Sequence, residues 1–380
     1  MFRPFLLTAL FLPFAALPFS AQGAPIETDA TQAVIIDHAT GIVLFEKDAR
    51  EPMPPASMTK IMTVQMVLEA VQRGDITYET TFRVSDDAWR RGGVTSGSST
   101  MFLEPRSDVR VEDLLRGLII QSGNDAAITL AEGLSGSEPA FADAMTRRAR
   151  EMGLNSATFR NATGWPNDEH EISAVDLAAL TRQQIDDFPE AYAMYAEPDF
   201  TWNGTKQGNR NPLLGSFEGA DGVKTGATSV AGYGLVASAV RGDTRRIVVF
   251  NGTDGKSQRS RVAKELMSAA FNDFGVLNLY VSGDTLGDIP VYMGKAETVG
   301  LVLREDVRVG FHRSERDTIK ARVEYITAPA PVEAGTKIAD LVVEKSGGEI
   351  ARFPLYASDS VARKGFFGRV GASLLKKIRG

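Results

Sequence analysis

The sequence predicts an α+β protein: an antiparallel sheet flanked by helices, then a small all-β domain and an amphipathic C-terminal helix. Two observations carry this prediction. Apolar residues recur with a helical period in several segments before residue 200, whereas strand-like runs separated by short turns dominate after residue 219. The chain has 380 residues, of which 43% are hydrophobic and 24% charged. That length and composition allow two domains with ordinary hydrophobic cores.

The first 23 residues have the anatomy of a signal peptide. Arg3 is followed by an apolar run from Phe5 to Phe19, and Ala21-Gln22-Gly23 closes the segment. The run is short and interrupted by proline, which is poor for a membrane span. We therefore predict that residues 1–23 are removed and that the protein is exported.

Composition excludes several kinds of site. The chain has no cysteine, so thiol catalysis and thiolate metal sites are ruled out. Its only histidines, His38, His170 and His312, are far apart in sequence, and there is no Gly-x-Ser-x-Gly motif. We predict neither a metal nor a cofactor. The chain is acidic except for residues 363–380, which hold six Lys or Arg and no acid, so nucleic acid is not an expected partner.

The elements follow in order along the chain. Residues 33–37 and 41–45 form two β-rich runs of a hairpin, and apolar spacing indicates helices near 58–70, 111–119 and 125–131. Runs at 222–226, 233–238 and 245–250 predict an antiparallel meander, closed by a helix over 259–271. These elements predict a catalytic domain over 24–275, a β-rich domain over 276–360 and a terminal helix over 361–380.

The first chemical motif is Ser57-Met58-Thr59-Lys60, directly after two prolines and at the start of a helix. Spacing of three places the Lys60 amine on the same helical face as the Ser57 hydroxyl, where a desolvated lysine can act as its base. Alone, the pattern also fits a serine that caps the helix. The pattern Ser-x-x-Lys is also short enough to occur by chance, and Ser373 and Lys376 form a second copy within the basic tail.

Two further motifs follow the first. Ser122-Gly123-Asn124 lies between two predicted helices and, alone, fits a helix cap. Lys224-Thr225-Gly226 lies on a predicted strand and, alone, fits an exposed strand that ends in a turn. The three motifs lie at a helix start, between two helices and on a strand, in that order. This combination indicates a function more specifically than any single motif does.

In this order the motifs resemble those of penicillin-binding proteins and class A β-lactamases. The match is closer to the low-molecular-mass D-alanyl-D-alanine carboxypeptidases of the penicillin-binding protein 5 and 6 group, and it covers nearly the whole mature chain. The segments that carry it are Met101-Phe102-Leu103-Glu104, Gln121-Ser122-Gly123-Asn124-Asp125-Ala126, Lys206-Gln207-Gly208-Asn209-Arg210-Asn211 and Asp221-Gly222-Val223-Lys224-Thr225-Gly226-Ala227-Thr228.

The resemblance implies a DD-peptidase/β-lactamase-like domain with a helical subdomain and a serine acyl-transfer cycle on peptidoglycan stem peptides ending in D-Ala-D-Ala. Ser57 would attack the penultimate D-Ala carbonyl, and Lys60 would be its base. Ser122 would relay a proton to the leaving amine, and Asn124 would bind a substrate amide or steady Lys60. The N–H groups of Ser57 and of the strand near Ala227 would form the oxyanion hole. β-Lactams would be covalent inhibitors.

The resemblance also implies the substrate-binding residues. Lys224 would add positive field, and Thr225, followed by Gly226 and Ala227, would bind the terminal carboxylate. Arg259 would supply a counter-charge, and Arg210 would either do the same or only stabilise the fold.

Two departures from the family pattern limit this inference. Ala227 replaces a frequent histidine, and residues 165–170 are unusually acidic, which leaves a role for Asp176 in deacylation open.

Other functions stay open at this point. The same scaffold serves DD-endopeptidases, transpeptidases and class A-like β-lactamases, and a non-catalytic peptidoglycan-binding protein would keep the fold.

The last residues suggest a membrane anchor. As a helix, residues 365–379 place Phe366, Phe367, Val370, Leu374, Leu375 and Ile378 on one face and Arg369, Lys376 and Arg379 on the other. Such a helix lies in the interface of an anionic membrane. We therefore expect the protein at the periplasmic face of the bacterial inner membrane, attached through residues 361–380. The alternative is a core helix packed on the second domain.

Overall fold

The computed structural model describes residues 26–365. The predicted signal peptide and residues 366–380 of the predicted anchor lie outside the described residues.

The strands of the first domain are β1 (Gln32–Asp37), β2 (Val43–Lys47), β3 (Pro52–Met53), β4 (Thr81–Arg83), β5 (Asp108–Arg110), β6 (Ile172–Ser173), β7 (Asp199–Trp202), β8 (Thr205–Gly208), β9 (Ala220–Thr228), β10 (Gly232–Arg241) and β11 (Thr244–Thr253). Five of them form an antiparallel sheet with strand order β2-β1-β11-β10-β9. The other six form three two-stranded pairs, β3–β6, β4–β5 and β7–β8. The predicted hairpin and meander are confirmed, because β1 pairs with β2, and β10 pairs with both β9 and β11, all antiparallel.

Helices cover both faces of this sheet. The α-helices are α1 (Lys60–Gln72), α2 (Asp86–Gly92), α3 (Val111–Ile120), α4 (Asn124–Ser135), α5 (Glu138–Glu151), α6 (Ala174–Asp187), α7 (Pro189–Tyr192) and α8 (Lys256–Asn272). Short 3-10 helices span Ala56–Thr59, Val94–Ser96 and Ala193–Ala196.

Alternation along the strands divides the sheet between two cores. Val34 and Ile36 of β1 belong to the core that includes α1, α3, α4, α5 and α6, whereas Ala33 and Ile35 belong to the core that includes α8. Because successive residues of a strand point to opposite faces of the sheet, one continuous apolar run contributes side chains to both cores. Strand β9 is an edge of the sheet, and its outer edge lies beside the 3-10 turn that holds Ser57.

The second domain is a β-structure with its own hydrophobic core. Strand β12 (Phe274–Tyr280) pairs with β15 (Val307–His312), and the other strands form a sheet of order β16-β18-β19-β14-β13-β17. Their bounds are β13 (Thr285–Tyr292), β14 (Thr298–Val302), β16 (Lys320–Tyr325), β17 (Ala328–Pro329), β18 (Lys337–Lys345) and β19 (Gly348–Ala357), with a 3-10 helix over Arg313–Thr318. Its core includes Leu301, Val307, Leu341, Val343 and Leu355.

Two predicted boundaries differ from the structure. The strand at Phe274–Tyr280, β12, crosses the predicted division at 275/276. Its first residue, Phe274, still packs in a core of the first domain. The predicted start of the terminal helix at 361 is too early: Val361 pairs with Val332 and Arg363 with Gly294 as isolated β-bridges. These residues hydrogen-bond to the β-domain, so they are unavailable to begin a helix. Within residues 26–365, no helix has both the length and the apolar character that a membrane span requires.

Candidate active site

Ser57 lies in a short 3-10 turn that leads directly into α1. Ala56, just before it, has a positive φ of 50°, a conformation that is strained for a residue with a side chain. Two glycines approach this turn closely. A Cβ on Gly164 would lie 1.8 Å from the Ala56 carbonyl oxygen, and one on Gly226 would lie 2.7 Å from that of Pro55. The strained turn therefore packs directly against two chain segments that are distant in sequence.

Lys60 is fully buried and is held at three points. Its Nζ lies 3.1 Å from Ser57 Oγ, 2.7 Å from Asn124 Oδ1 and 2.6 Å from the Thr163 carbonyl oxygen. The amide and carbonyl oxygens can only accept hydrogen bonds. A neutral amine has two N–H groups for those acceptors, and its lone pair then faces the Ser57 hydroxyl. The contacts thus suit a lysine that accepts the serine proton.

The electrostatic environment favours that neutral form. Burial lowers the pKa of Lys60 to about 7, and the positive charge of Arg210 acts in the same direction, while Asp125 and Glu138 oppose it. A base with a pKa near 7 is well matched to proton transfer at neutral pH. The alternative of a capping serine does not hold, because the side chain of Ser57 forms no capping hydrogen bond with either helix.

The second motif, residues 122–124, lies at the junction of α3 and α4, next to Ser57 and Lys60. Ser122 is buried in the left-handed region at φ 65°, and its Oγ has no hydrogen-bond partner among the described residues. It lines the same cavity as Ser57. Asn124 accepts from Lys60 through Oδ1, and its Nδ2 donates to Ser98 Oγ at 3.1 Å. Gly123 is the residue at the N-cap position of α4, so neither polar side chain of the motif is spent on capping.

Asp125 is a supporting residue that the sequence reasoning did not single out. It is fully buried, and its carboxylate accepts hydrogen bonds from Thr100 Oγ1 and from the backbone N–H groups of Met101 and Leu103. These bonds fix the segment just after Ser98 and Ser99. Sequence offered one signal for it, since Asp125 belongs to the family-like segment around the second motif.

The third motif lies on the edge strand β9. Thr225, Gly226 and Ala227 line the cavity with Ser57 and Ser122, whereas the buried Lys224 donates from Nζ to the Thr225 carbonyl oxygen at 3.3 Å. Burial, followed by the nearby charges of Lys60, Arg210 and Arg259, holds the pKa of Lys224 well below its ordinary value. Lys224 therefore lies outside the lining of the cavity, whereas Arg210 and Arg259 are part of it.

Arg210 and Arg259 both line this cavity, which has a volume of about 470 Å³. Arg210 donates to Ser99 Oγ at 2.6 Å. Arg259 is buried with its guanidinium carbon 5.7 Å from the Tyr233 ring centre, and its Nε has no hydrogen-bond partner among the described residues. An orphaned guanidinium N–H in a cavity is a strong donor for an anionic ligand. Seven of the ten predicted site residues thus line one cavity, and the other three, Lys60, Asn124 and Lys224, are buried outside its lining.

Other candidates are engaged elsewhere. The carboxylate of Asp176 accepts from Ser156 N at 2.8 Å and Ser156 Oγ at 2.6 Å, which ties it to a structural turn. His170 shares a hydrogen bond with Thr59 Oγ1 at 2.8 Å, and burial lowers its pKa to about 4. Across residues 26–365, no three His, Asp or Glu side chains converge as a metal site.

Comparison with known proteins gives the family. Residues 19–254 match the family model described as D-alanyl-D-alanine carboxypeptidase, and residues 274–363 match that of the penicillin-binding protein 5 C-terminal domain. The chain belongs to the D-alanyl-D-alanine carboxypeptidase family. It is 37% identical to D-alanyl-D-alanine carboxypeptidase DacC of Escherichia coli K12 over 97% of this chain and 93% of that protein.

Solved structures agree with this assignment to the carboxypeptidase family. The D-alanyl-D-alanine carboxypeptidase DacD of Francisella tularensis superposes with a TM-score of 0.82 at 29% identity, covering 92% of this chain and 98% of that one. Penicillin-binding protein 5 of Haemophilus influenzae gives a TM-score of 0.74 at 34% identity, covering 89% and 99%. The predicted family, enzyme class and fold class, with an all-β domain after the catalytic one, are confirmed, whereas the amphipathic terminal helix stays a prediction.

Proposed function

We propose that this member of the family is a serine-type carboxypeptidase that removes the terminal D-Ala from peptidoglycan stem pentapeptides through an acyl-enzyme on Ser57. The observation that carries the proposal is the contact between Ser57 Oγ and a buried Lys60 whose N–H groups have two other acceptors. This arrangement supports a neutral amine aimed at a hydroxyl, which is what acyl transfer by serine requires.

Acylation follows from the positions of these groups. Ser57 Oγ attacks the carbonyl carbon of the penultimate D-Ala while Lys60 Nζ takes the hydroxyl proton. The carbonyl oxygen becomes an oxyanion in front of the N–H groups of Ser57 and Ala227, at the edge of β9. The C–N bond then breaks, and the leaving amine of the terminal D-Ala receives a proton from Lys60 through the Ser122 hydroxyl.

The second half of the cycle releases the shortened peptide. Lys60, neutral again, accepts a proton from a water molecule that attacks the ester carbonyl, and Ser57 recovers its proton as it leaves. The substrate's terminal carboxylate is held by the Thr225 hydroxyl and by the charges of Arg210 and Arg259. Asn124 holds Lys60 in place, and Lys224 supports the wall that carries Thr225.

β-Lactams fit the same cleft as covalent inhibitors, since their amide carbonyl is open to the same attack by Ser57. An endopeptidase or transpeptidase would use the same groups on a crosslinked or amine acceptor. A class A-like β-lactamase would not need the second domain, and a non-catalytic wall-binding protein would not need a lysine with a pKa of about 7. Product analysis on a pentapeptide and on a crosslinked dimer separates the first two from a carboxypeptidase.

The remaining proposals concern the chain's ends and its domain limits. We propose residues 24–275 as the catalytic domain and 276–360 as the β-rich domain, with strand β12 crossing the boundary between them. Export through residues 1–23 and attachment to the outer face of the inner membrane through the basic amphipathic tail stay predictions from sequence. Removal of residues 366–380 should release the protein from membrane pellets with D-Ala release unchanged; continued pelleting would refute the anchor.

The central test uses the purified chain. We expect release of D-Ala from a wall pentapeptide and covalent attachment of a fluorescent penicillin, with both lost in Ser57→Ala. Ser373→Ala, which alters the other Ser-x-x-Lys copy, is the matched control and should leave both unchanged. Label that persists in Ser57→Ala, or intact pentapeptide after incubation with the unaltered chain, would remove the assignment.

A further inference from the structure

The loop at residues 161–164 helps to place the base of the reaction through its backbone. The carbonyl oxygen of Thr163 accepts a hydrogen bond from Lys60 Nζ at 2.6 Å. A backbone acceptor has no side chain that can adjust, so it is only as well placed as the chain segment that carries it. The contacts that fix this loop therefore bear on the direction of the Lys60 amine.

Ala162, the residue before Thr163, is held at both of its backbone polar groups. Its carbonyl oxygen accepts from Thr63 Oγ1 at 2.8 Å, and its N–H donates to Glu138 Oε1 at 3.1 Å. Thr63 lies on α1, the helix that begins with Lys60, whereas Glu138 is the first residue of α5. The loop is thus tied both to the helix of the base and to a helix that carries none of the three motifs.

The carboxylate of Glu138 is buried, and each of its oxygens has a partner. Oε1 accepts from Ala162, and Oε2 accepts from Arg91 at 2.8 Å. The guanidinium carbon of Arg91 lies 5.1 Å from the centre of the Trp165 ring, directly after the loop. A buried carboxylate is unfavourable unless such partners compensate it, so the residue has a defined position. Glu138 lies outside the lining of the catalytic cavity.

The loop has little room to change this contact without moving Thr163. Gly164, on its other side, lies against the turn before Ser57, where an added Cβ would be 1.8 Å from the Ala56 carbonyl oxygen. Ala162 is buried, and a buried N–H without an acceptor is unfavourable enough to shift the backbone that carries it. Such a shift would move the Thr163 carbonyl and turn the lone pair of the amine away from the nucleophile.

We propose that Glu138 is a positioning residue for Lys60: its carboxylate holds the Ala162 N–H, and thereby the Thr163 carbonyl that directs the amine toward Ser57. This inference rests on the proposed function. It adds to that function a residue that contacts neither the nucleophile nor the cavity in which the substrate binds.

Glu138 also acts on Lys60 through its charge. Burial, followed by the charge of Arg210, lowers the pKa of Lys60 to about 7, while Asp125 and Glu138 oppose that shift. The hydrogen bond to Ala162 and the charge are two separate properties of one carboxylate, and substitution can remove either of them alone.

Two other titratable groups lie near Lys60. Burial lowers the pKa of His170 to about 4, so this side chain is neutral at physiological pH. Burial also holds the pKa of Lys224 well below its ordinary value. Neither group contacts Glu138 through a hydrogen bond or ion pair among the described residues, so substitution of Glu138 leaves both in place.

Two conservative variants separate position from charge. Glu138→Asp keeps the charge, but its side chain is one methylene shorter and no longer reaches the Ala162 N–H. Glu138→Gln keeps the reach and loses the charge. Because Arg91 is 42% exposed and stays paired with Asp87 at 2.9 Å, the amide oxygen of the glutamine is free to accept from the buried N–H.

The measurement is the rate of acylation by a fluorescent penicillin as a function of pH. In Glu138→Asp we expect the plateau rate to fall about tenfold to a hundredfold, because the amine is misdirected, with the acid limb near its original pH. In Glu138→Gln we expect most of the plateau rate to remain. Its acid limb should move to lower pH, because loss of a negative charge near Lys60 disfavours the protonated amine.

Glu69→Asp is the matched control. Glu69 is also a buried carboxylate, lies on α1 and pairs with Arg148 at 3.0 Å, but its other hydrogen-bond partner is Gln65 rather than the loop. Shortening it should lower the temperature of thermal unfolding as much as Glu138→Asp does. The acylation rate and its acid limb should not change.

An acylation rate in Glu138→Asp equal to that of the unaltered chain would overturn the positioning role. So would an equal loss of rate in Glu69→Asp, which would point to general destabilisation, or an equal loss in Glu138→Gln, which would point to charge alone. If the unaltered chain is not acylated at all, the proposed function itself fails, which is a distinguishable result.

Discussion

The two domains of this protein differ in whether they bury cations without a carboxylate partner. In the catalytic domain, Lys60, Lys224 and Arg259 are buried, and burial is the main cause that lowers the pKa of each. In the β-rich domain, a cluster on one sheet face keeps its charges exposed and paired: Arg322 lies 2.8 Å from Glu344, and Arg352 lies 2.7 Å from both Glu349 and Glu324.

The difference shows where chemistry is built. Burying a cation without a carboxylate partner opposes folding. A protein tolerates this cost where catalysis uses a side chain with a shifted pKa. Exposed pairs form easily, are screened by salt and contribute little. Among the described residues, the lysines and arginines with a lowered pKa thus lie in the catalytic domain, and five measurements can break or sharpen this contrast.

The largest effect should come from the buried base. We expect Lys60→Gln to lower the rate of acylation by a β-lactam by about 10³-fold or more, because Ser57 loses the group that takes its proton. Stopped-flow measurement with a fluorescent penicillin gives the rate, and thermal unfolding checks that the variant is folded. A folded variant with a near-normal rate would show that another group is the base.

The next effect concerns the turn that holds the nucleophile. Gly164→Ala should destabilise the protein by about 2–4 kcal/mol, since the new methyl overlaps the Ala56 carbonyl and the residue must keep a positive φ of 85°. Gly153→Ala is the matched control: its φ is 82°, but nothing lies within 4 Å of the added methyl.

Denaturant unfolding of both glycine variants measures the difference. We expect about 1 kcal/mol for Gly153→Ala, from backbone strain alone. Equal losses in the two variants would mean that the close approach to Ala56 carries no stability.

The third expectation is a pH dependence of acylation. With the Lys60 pKa lowered from 10.5 to about 7, the amine is protonated and inactive as a base below that pH and neutral above it. The acylation rate should therefore fall about tenfold per pH unit below pH 7 and level off above it. A rate that is flat between pH 5 and 8 would contradict a lysine base with this pKa.

Charge variants test the cause of that shift with opposite signs. Arg210 lowers the Lys60 pKa and Asp125 raises it. The acid limb should move to higher pH in Arg210→Gln and to lower pH in Asp125→Asn. Its position, rather than the height of the plateau, is the readout, since both residues also shape the site.

The smallest effect should come from the exposed cluster. Glu324→Gln removes a carboxylate that pairs with Arg322 and Arg352 at the surface. We expect a change in Tm of at most about 1 °C, and D-Ala release and its pH dependence should not change. A large loss of stability, or a shifted acid limb, would show that charges of the second domain reach the catalytic site.

Much of this site could be predicted from sequence because each motif is local. Three-residue spacing places Lys60 within reach of Ser57, and the order of the three motifs pointed to a family whose members bring them together. Thr163 could not be predicted, since its backbone carbonyl carries no side-chain signature. Ser98, Ser99 and Asp125 were also missed as partners, because hydrogen bonds across 24–111 residues depend on how the segments fold back.

The sequence by itself determined the alternation of helices and strands, the change to an all-β domain and the residue types needed for acyl transfer, because periodicity and short-range spacing are properties of the chain alone. Only the tertiary structure decided that Lys60 is desolvated, that Lys224 lies behind the cleft wall and that Glu138 hydrogen-bonds to the loop beside Lys60. Burial and charge at a point depend on every segment that packs around it, and no single stretch of sequence contains that information.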